Sequence, residues 1–353
     1  MDSVKLISTL ANSFGAPGFE DDVIAAVSKF VPDSHKMVRD KMLNLFLVSE
    51  PKENKPVVVL DAHMDEVGAM VKAVKDNGTI VFAPLGDWVP STLYAQRMQI
   101  LNRDNELVTA VIASKMTHFG AGQNYCPSID QMLLDVGAIC KEEVMEEFRI
   151  YPGCPITPSP NFEKAGDIII SKALDNRLGC AAVLEILNKV SEMDLDINVD
   201  GILTAQEEVG HRGATVASQS LKPDLVICFE GSPCDDTLAE VGESHLIQTR
   251  MGDGPMIRYM DAGMITNPRL MRFVLNVAKK HGIEVQEAVR TRSFTNGAAY
   301  NLTHAGTPTI VISCPVRYAH SHNGMAYMYD YHSMVELTIE VLKEITEEVI
   351  REF

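Results

Sequence analysis

The chain lacks any apolar run approaching the ~20 residues needed to span a bilayer, and its opening stretch, "MDSVKLISTLANSFG", carries no cleavage signature. That stretch reads as an amphipathic first helix, and no membrane partner is expected. Basic residues are scarce: 31 lysines and arginines stand against 48 aspartates and glutamates, a formal net charge of −17. Nucleic acid and anionic membranes are repelled by such a field, so neither is expected to bind. The seven cysteines contain no C-x-x-C pair, which argues against a thiolate zinc site. Cys126, Cys140, Cys154, Cys180, Cys228, Cys234 and Cys314 mostly sit beside apolar residues and are read as buried, reduced thiols of a cytoplasmic protein. H-E-x-x-H and G-x-S-x-G are both missing, which excludes that helical zinc-peptidase pattern and a serine nucleophile elbow.

What is there suits a globular protein of two domains. The chain has 353 residues, beyond the usual size of one domain, and 46 % hydrophobic residues give ample material for a core. Residues 1–66 and about 163–353 alternate helical and strand patterns. Helices are expected over Val4–Phe14, Glu20–Phe30, Asn176–Glu192, Pro268–His281 and His332–Glu352. Strands are expected at "PVVVLDAH" (56–63), "INVDGILTA" (197–205), "DLVICF" (224–229) and "PTIVIS" (308–313). Their near-continuous apolar runs predict an α/β fold, a mixed and mostly parallel sheet covered by helices on both faces. Residues 67–162 differ: short β-prone runs are separated by Gly, Pro and Asn-Asp turns, with one helical segment, "KEEVMEEFRI" (141–150). They read as a small β-rich, barrel-like domain inserted into the α/β domain.

Four of the expected strands end in metal-ligating side chains. "VVVLDAHMDE" delivers His63 and Asp65, "GILTAQEE" delivers Glu207 and Glu208, "LVICFEG" delivers Glu230, and "TIVISCPVRYAHSH" delivers His320 and His322. Ligands of open α/β sheets bind at that edge. A fifth segment, "KALDNRLG", places Asp175 where a helix begins; taken alone it reads as an N-cap. Taken alone, Glu230 is a loop carboxylate and His63 a hydrogen-bonded histidine. Together these acids repel one another unless cations stand among them, and no lysine accompanies the four strand ends. Mixed imidazole and carboxylate ligands suit zinc, cobalt or manganese better than calcium. One carboxylate can bridge two ions ~3.5–4 Å apart. The doublet then makes sense if Glu208 binds a metal while Glu207 faces water as general base.

The ordered segments "DAHMDEVGAMV" (61–71), "LLDVGA" (133–138), "KALDNRLG" (172–179), "AQEEVGHRGA" (205–214), "GDGPMIRYMD" (252–261) and "PVRYAHS" (315–321) run along nearly the whole chain. In them the chain resembles the dinuclear metallo-aminopeptidases that assemble as tetrahedral dodecamers, the family of glutamyl and deblocking aminopeptidases. The resemblance implies two divalent metal ions per subunit. One would be held by His63, Asp175 and Glu230, the other by Asp175, Glu208 and His320, with Asp175 as bridge. It implies Glu207 as general base and acid, Asp65 as the residue that orients His63, and a cis peptide at Asp175–Asn176. Short peptides would be the substrates, and residues 67–162 would form the oligomerisation domain of a dodecamer.

The chain departs from the family's pattern in three places. Glu230 stands where the family usually has aspartate, and it keeps the charge and can still ligate. "RTRSFTNGAAYNL" (290–302) replaces a glycine-rich segment, so Ser293, Phe294, Asn296 and Gly297 are expected to reshape or narrow the cleft. His322 replaces a commoner proline and is read as a surface residue in preference to a spare ligand. Arg258, Arg290, Arg292 and Arg317 could favour acidic N-terminal residues or merely balance neighbouring acids. Two rival functions are a glycoside hydrolase, which needs two carboxylates ~5–9.5 Å apart, and a metal-bearing scaffold whose cleft has closed.

Overall fold

The computed structural model describes residues 1–114, 118, 127–237 and 247–353; Cys126 lies outside the described residues. The first strands are β1 (His35–Arg39), β2 (Leu45–Ser49) and β3 (Val57–His63). Six more follow: β4 (Gly68–Val74), β5 (Ile80–Leu85), β6 (Arg97–Leu101), β7 (Leu107–Ile112), β8 (Leu133–Asp135) and β9 (Pro155–Pro158). The chain then returns through β10 (Glu163–Ala165), β11 (Ile168–Ser171), β12 (Asn198–Thr204) and β13 (Leu225–Pro233). Last come β14 (Met256–Met260), β15 (Gln286–Val289), β16 (Thr309–Arg317) and β17 (Gly324–Tyr327).

The large sheet runs β1-β2-β12-β3-β13-β16-β17-β11-β10, with β14 and β15 attached beside β16. Its centre, β12-β3-β13-β16, is parallel, and antiparallel strands extend both edges. The central strands read as apolar throughout because each of their faces meets a core. Val58, Leu60 and Ala62 of β3, with Leu225, Ile227 and Phe229 of β13, enter the main core. The alternate residues Val59, Val226 and Cys228 enter a smaller core on the opposite face. Each Val, Leu, Ile or Phe among them contributes roughly 1.5–3 kcal/mol on burial.

Eight α-helices are described: α1 (Ser3–Asn12), α2 (Asp21–Val27), α3 (Leu174–Val190), α4 (Arg212–Ser220), α5 (Pro268–His281), α6 (Gly297–Asn301), α7 (Met328–Glu344) and α8 (Glu347–Arg351). Helices α1, α2, α3, α5 and α7 pack on the main-core face, while α4 and α6 contribute Ala214, Ala217 and Tyr300 to the smaller core. The single helix expected over His332–Glu352 is two. Ile345 turns extended and buried, and Thr346 caps the next turn by accepting from Val349 N at 3.3 Å. The segment 141–150 makes only a short helical stretch, π-type over Glu143–Glu147.

Strands β4 to β9 close into a six-stranded antiparallel barrel in the order β4-β5-β8-β7-β6-β9. It has its own core, in which Ile80, Ile100, Ile156 and Leu134 are buried. Among the described residues no helix is long and apolar enough to cross a membrane.

Candidate functional site

The alternation that divides β3 and β13 between two cores also decides what stands at their carboxyl ends. Val59, Asp61 and His63 share one side of β3, and Val226, Cys228 and Glu230 share the same side of β13. Register puts Thr204 beside His63 and Glu230 beside Ser313. His63 and Glu230 therefore emerge together above the smaller core. One step below, buried Asp61 accepts from Tyr300 Oη and from Asn296 Nδ2, each at 2.9 Å. Asn296 Nδ2 also donates to Thr204 Oγ1 at 2.7 Å, which pins the 293–297 segment under the site. Burial pushes the Asp61 carboxyl up to about 7, against the hydrogen bonds from Asn296 and Tyr300.

Asp175 does not cap α3. Ala173 adopts φ +56°, the Asp175–Asn176 peptide is cis, and Asp175 lies outside helical geometry. The capping work falls to Asn176, whose Oδ1 accepts from Gly179 N at 3.0 Å while its Nδ2 donates to Phe229 O at 2.8 Å. The turn is pressed against β13 at Gly231, where a Cβ would meet Leu174 O at 2.5 Å and Asp175 Cα at 2.9 Å. Both are backbone atoms, so neither can swing aside. Gly231→Ala is expected to destabilise the fold by about 1–3 kcal/mol and to weaken metal binding by displacing Asp175. Denaturant unfolding and a metal titration on the same sample check both effects.

The doublet after β12 hangs from Asp65, and the residue before it from Glu20. Gln206 adopts φ +58°, and its N–H donates to Glu20 Oε1 at 3.1 Å. Glu207 N donates to Asp65 Oδ1 at 2.9 Å and Glu208 N to Asp65 Oδ2 at 3.0 Å. Asp65 Oδ1 also lies 3.4 Å from His63 Nδ1, which is 3.1 Å from Asp65 O. Asp65 thus stands behind His63 and also holds the Glu207–Glu208 backbone. Burial raises the Glu20 carboxyl to about 8, with the nearby Asp65 adding to it.

These elements bring five of the candidates into two overlapping groups. His63, Asp175 and Glu230 form one, Asp175, Glu208 and His320 the other, and the ligand atoms within each lie within 4.8 Å of one another. His63 Nε2 is 3.3 Å from Asp175 Oδ1 and 3.5 Å from Glu230 Oε2. His320 Nε2 is 3.3 Å from Asp175 Oδ2 and 3.6 Å from Glu208 Oε2. Glu207 belongs to neither group; its Oε2 stands 3.9 Å from His63 Nε2. Asp175 Oδ1 and Glu208 Oε1 are buried without a hydrogen-bond partner. Orphaned carboxylate oxygens beside two imidazoles are what a divalent-cation site offers.

Electrostatics in the ion-free chain point the same way. Burial raises Glu207 well above the carboxylate range, and Glu230, Glu208 and Asp65 push it further while His63 opposes. Burial likewise raises Glu208 to about 8 and raises Glu230. Burial also disfavours charge on Asp175, but His320 and His63 on either side outweigh it and hold it low. His320 is lifted to about 10, its burial overcome by Glu208 and Asp175 with help from the Asp87 main chain.

A cavity of about 380 Å³ opens over these groups, with Ser232, Pro233, Arg258, Phe294 and Thr295 in its walls. Residues 293–295 thus line the cleft and leave it open. Arg258 is buried and committed to Asp261 at 3.2 Å and Ser232 at 2.7 Å. Arg290 pairs with Asp235 at 3.4 Å, Arg317 with Asp236 at 2.7 Å, and Arg292 is exposed. Three of the four arginines therefore balance neighbouring acids.

Two expectations are corrected. His322 is only 5 % exposed, with Nε2 3.1 Å from Met98 Sδ and its ring 5.8 Å from that of Trp88. The chain beyond His320 turns inward between sheet and barrel, so His322 is an interior residue. Cys140 is only partly buried, whereas Cys154, Cys180, Cys228, Cys234 and Cys314 are buried and free. Sequence reasoning missed Glu20, the Asp87 main chain and His211. The last lies 3.3 Å from Glu207 and could have been found from its i, i+4 spacing.

Residues 44–337 match the family described as M42 glutamyl aminopeptidase. A glutamyl aminopeptidase of Lactococcus lactis subsp. cremoris is 31 % identical over 336 residues, covering 94 % of this chain and 92 % of that one. A lysyl aminopeptidase of Pyrococcus furiosus is 30 % identical over 351 residues, covering 97 % of each chain. Among solved structures, a TET aminopeptidase from a marine sediment archaeon of the Thaumarchaeota superposes with a TM-score of 0.92 at 30 % identity. That superposition covers 100 % of this chain and 99 % of the other.

Proposed function

The chain belongs to the M42 glutamyl aminopeptidase family and is an aminopeptidase, and we propose that it removes N-terminal residues from short peptides with two divalent cations and Glu207 as general base. The observation that carries this is the shared carboxylate: Asp175 turns one oxygen to His63 and the other to His320. One ion would be held by His63, Asp175 and Glu230, the other by Asp175, Glu208 and His320. Zinc or cobalt suits this donor set best, with manganese also acceptable. When bound, such ions lower the pKa of water to near neutrality and polarise the scissile carbonyl.

The chain's own groups do the remaining work. Glu207 takes the proton of the attacking water through Oε2 and returns it to the leaving amine. The substrate's α-amine meets the carboxylate edge of the cleft, which restricts cleavage to the N-terminus. Asp65 holds the doublet through the contacts at 2.9 and 3.0 Å and stands 3.4 Å from His63 Nδ1, which keeps the two in register.

The barrel's separate core supports reading residues 67–162 as an inserted oligomerisation domain and residues 1–66 and 163–353 as the catalytic domain. A homo-oligomer, and specifically a dodecamer, is part of the proposal, by analogy with a TET1 peptidase of the same fold that forms a dodecamer. The buried free thiols support a cytoplasmic setting. A glycoside hydrolase leaves His63 and His320 without a role, and a closed scaffold is disfavoured by the open cavity.

The test is a panel of aminoacyl anilides beside aryl glycosides. Chelation is expected to abolish anilide hydrolysis and lower Tm, and reloading to restore both. Ligand at 100 times Kd stabilises by about 2.7 kcal/mol per site. Full anilidase activity after verified metal removal, or glycoside hydrolysis alone, contradicts the assignment.

A further inference from the structure

His211 lies in neither ligand group, yet the loop returns its imidazole to the base. Gly210 N and His211 N both donate to Glu207 O at 2.9 Å, closing a turn. His211 adopts φ +51°, and its carbonyl accepts from Thr215 N and Thr215 Oγ1, each at 2.9 Å. This pinned backbone sets Nε2 3.3 Å from Glu207 Oε1. The ring also leans on Phe294, with centroids 5.6 Å apart at 48°. Both rings line the cleft. The two oxygens of Glu207 therefore keep different company: Oε1 meets His211, and Oε2 stands on the cluster side, 3.9 Å from His63 Nε2.

We propose that His211 is a positioning residue for the peptidase reaction: with its proton on Nε2 it donates to Glu207 Oε1 and fixes the carboxylate so that Oε2 faces the attacking water. The inference rests on Glu207 being the general base. A carboxylate's terminal torsion is broad and roughly two-fold, so without a second contact the base wanders out of line, and small misplacements cost rate steeply. Phe294 limits rotation of the imidazole and so holds the donor where it is needed. Burial depresses proton uptake by His211, and a neutral imidazole donor lowers the basicity of Glu207 less than an imidazolium would.

His211→Leu keeps bulk against Phe294 and removes the donor; His211→Gln restores one. Kinetics on an aminoacyl anilide, with metal content verified, are expected to show kcat of H211L reduced about ten- to a hundredfold with KM within about threefold of wild type. H211Q is expected to recover at least about threefold of that loss in kcat. His211→Phe, a second side chain without a donor, replaces H211L if the latter does not fold and carries the same expectations. A donor-free variant with kcat within about twofold of wild type, or H211Q no faster than it, overturns the proposal. Glu207 survives as the base in that event if E207Q is inert. A wild type that cleaves no aminoacyl anilide overturns both.

Discussion

Glu207→Gln is expected to lower kcat by about 10²–10⁴ while both cations remain bound. The amide keeps the shape of the side chain and its reach toward His63, but it can neither take a proton from water nor return one to the amine. In free-energy terms the loss is about 3–5 kcal/mol of transition-state stabilisation. KM should change little, because Glu207 belongs to neither ligand group and the cavity walls are untouched. The stability of the metal-free variant should rise. Burial and the neighbours Glu230, Glu208 and Asp65 all disfavour a charge at residue 207 in the ion-free chain, and glutamine removes it. Together these outcomes distinguish a base from a ligand, since losing a ligand would lower metal content as well.

Asp175→Asn is expected to remove at least one cation and to lower activity by more than about 100-fold, since even partners one layer outside a metal cost about 10–100-fold. Asp175 Oδ1 lies 3.3 Å from His63 Nε2 and Oδ2 lies 3.3 Å from His320 Nε2. Asparagine can present an oxygen to only one of those groups and turns an NH₂ donor toward the other. One site thus meets a donor where it needs an acceptor. Burial works against proton uptake by His63 and His320; Glu207 favours it at His63 and Glu208 at His320, and Asp175 adds to both. Losing the Asp175 charge is therefore expected to make the metal-free protein less stable, read by denaturant unfolding in chelator.

Much of this arrangement was legible because strands impose a period of two and open α/β sheets gather ligands at one edge. His63 and Glu230 need nothing more: they continue the rows Val59–Asp61 and Val226–Cys228 out of the smaller core. The β-rich insertion showed in its short runs and turn residues. Less was visible where backbone groups carry the structure. The amides of Glu207 and Glu208 that Asp65 holds have no side-chain signal, and Glu20 reaches Gln206 across 186 positions of sequence. The β1–β2 hairpin passed unnoticed because its turn is built by Asp40 accepting from Met42 N and Asn44 N rather than by glycine. His322 was misread for a related reason. Its burial depends on Met98 and Trp88 from the barrel, and nothing near residue 322 announces that packing.

Metal stoichiometry tests the central claim most directly. The chain is stripped with chelator, dialysed to equilibrium against zinc or cobalt, and counted by elemental analysis, with E207Q and D175N alongside. The account expects two ions per chain in the wild type and in E207Q, and no more than one in D175N. A wild type that holds one ion or none, or a D175N that still holds two, would contradict it.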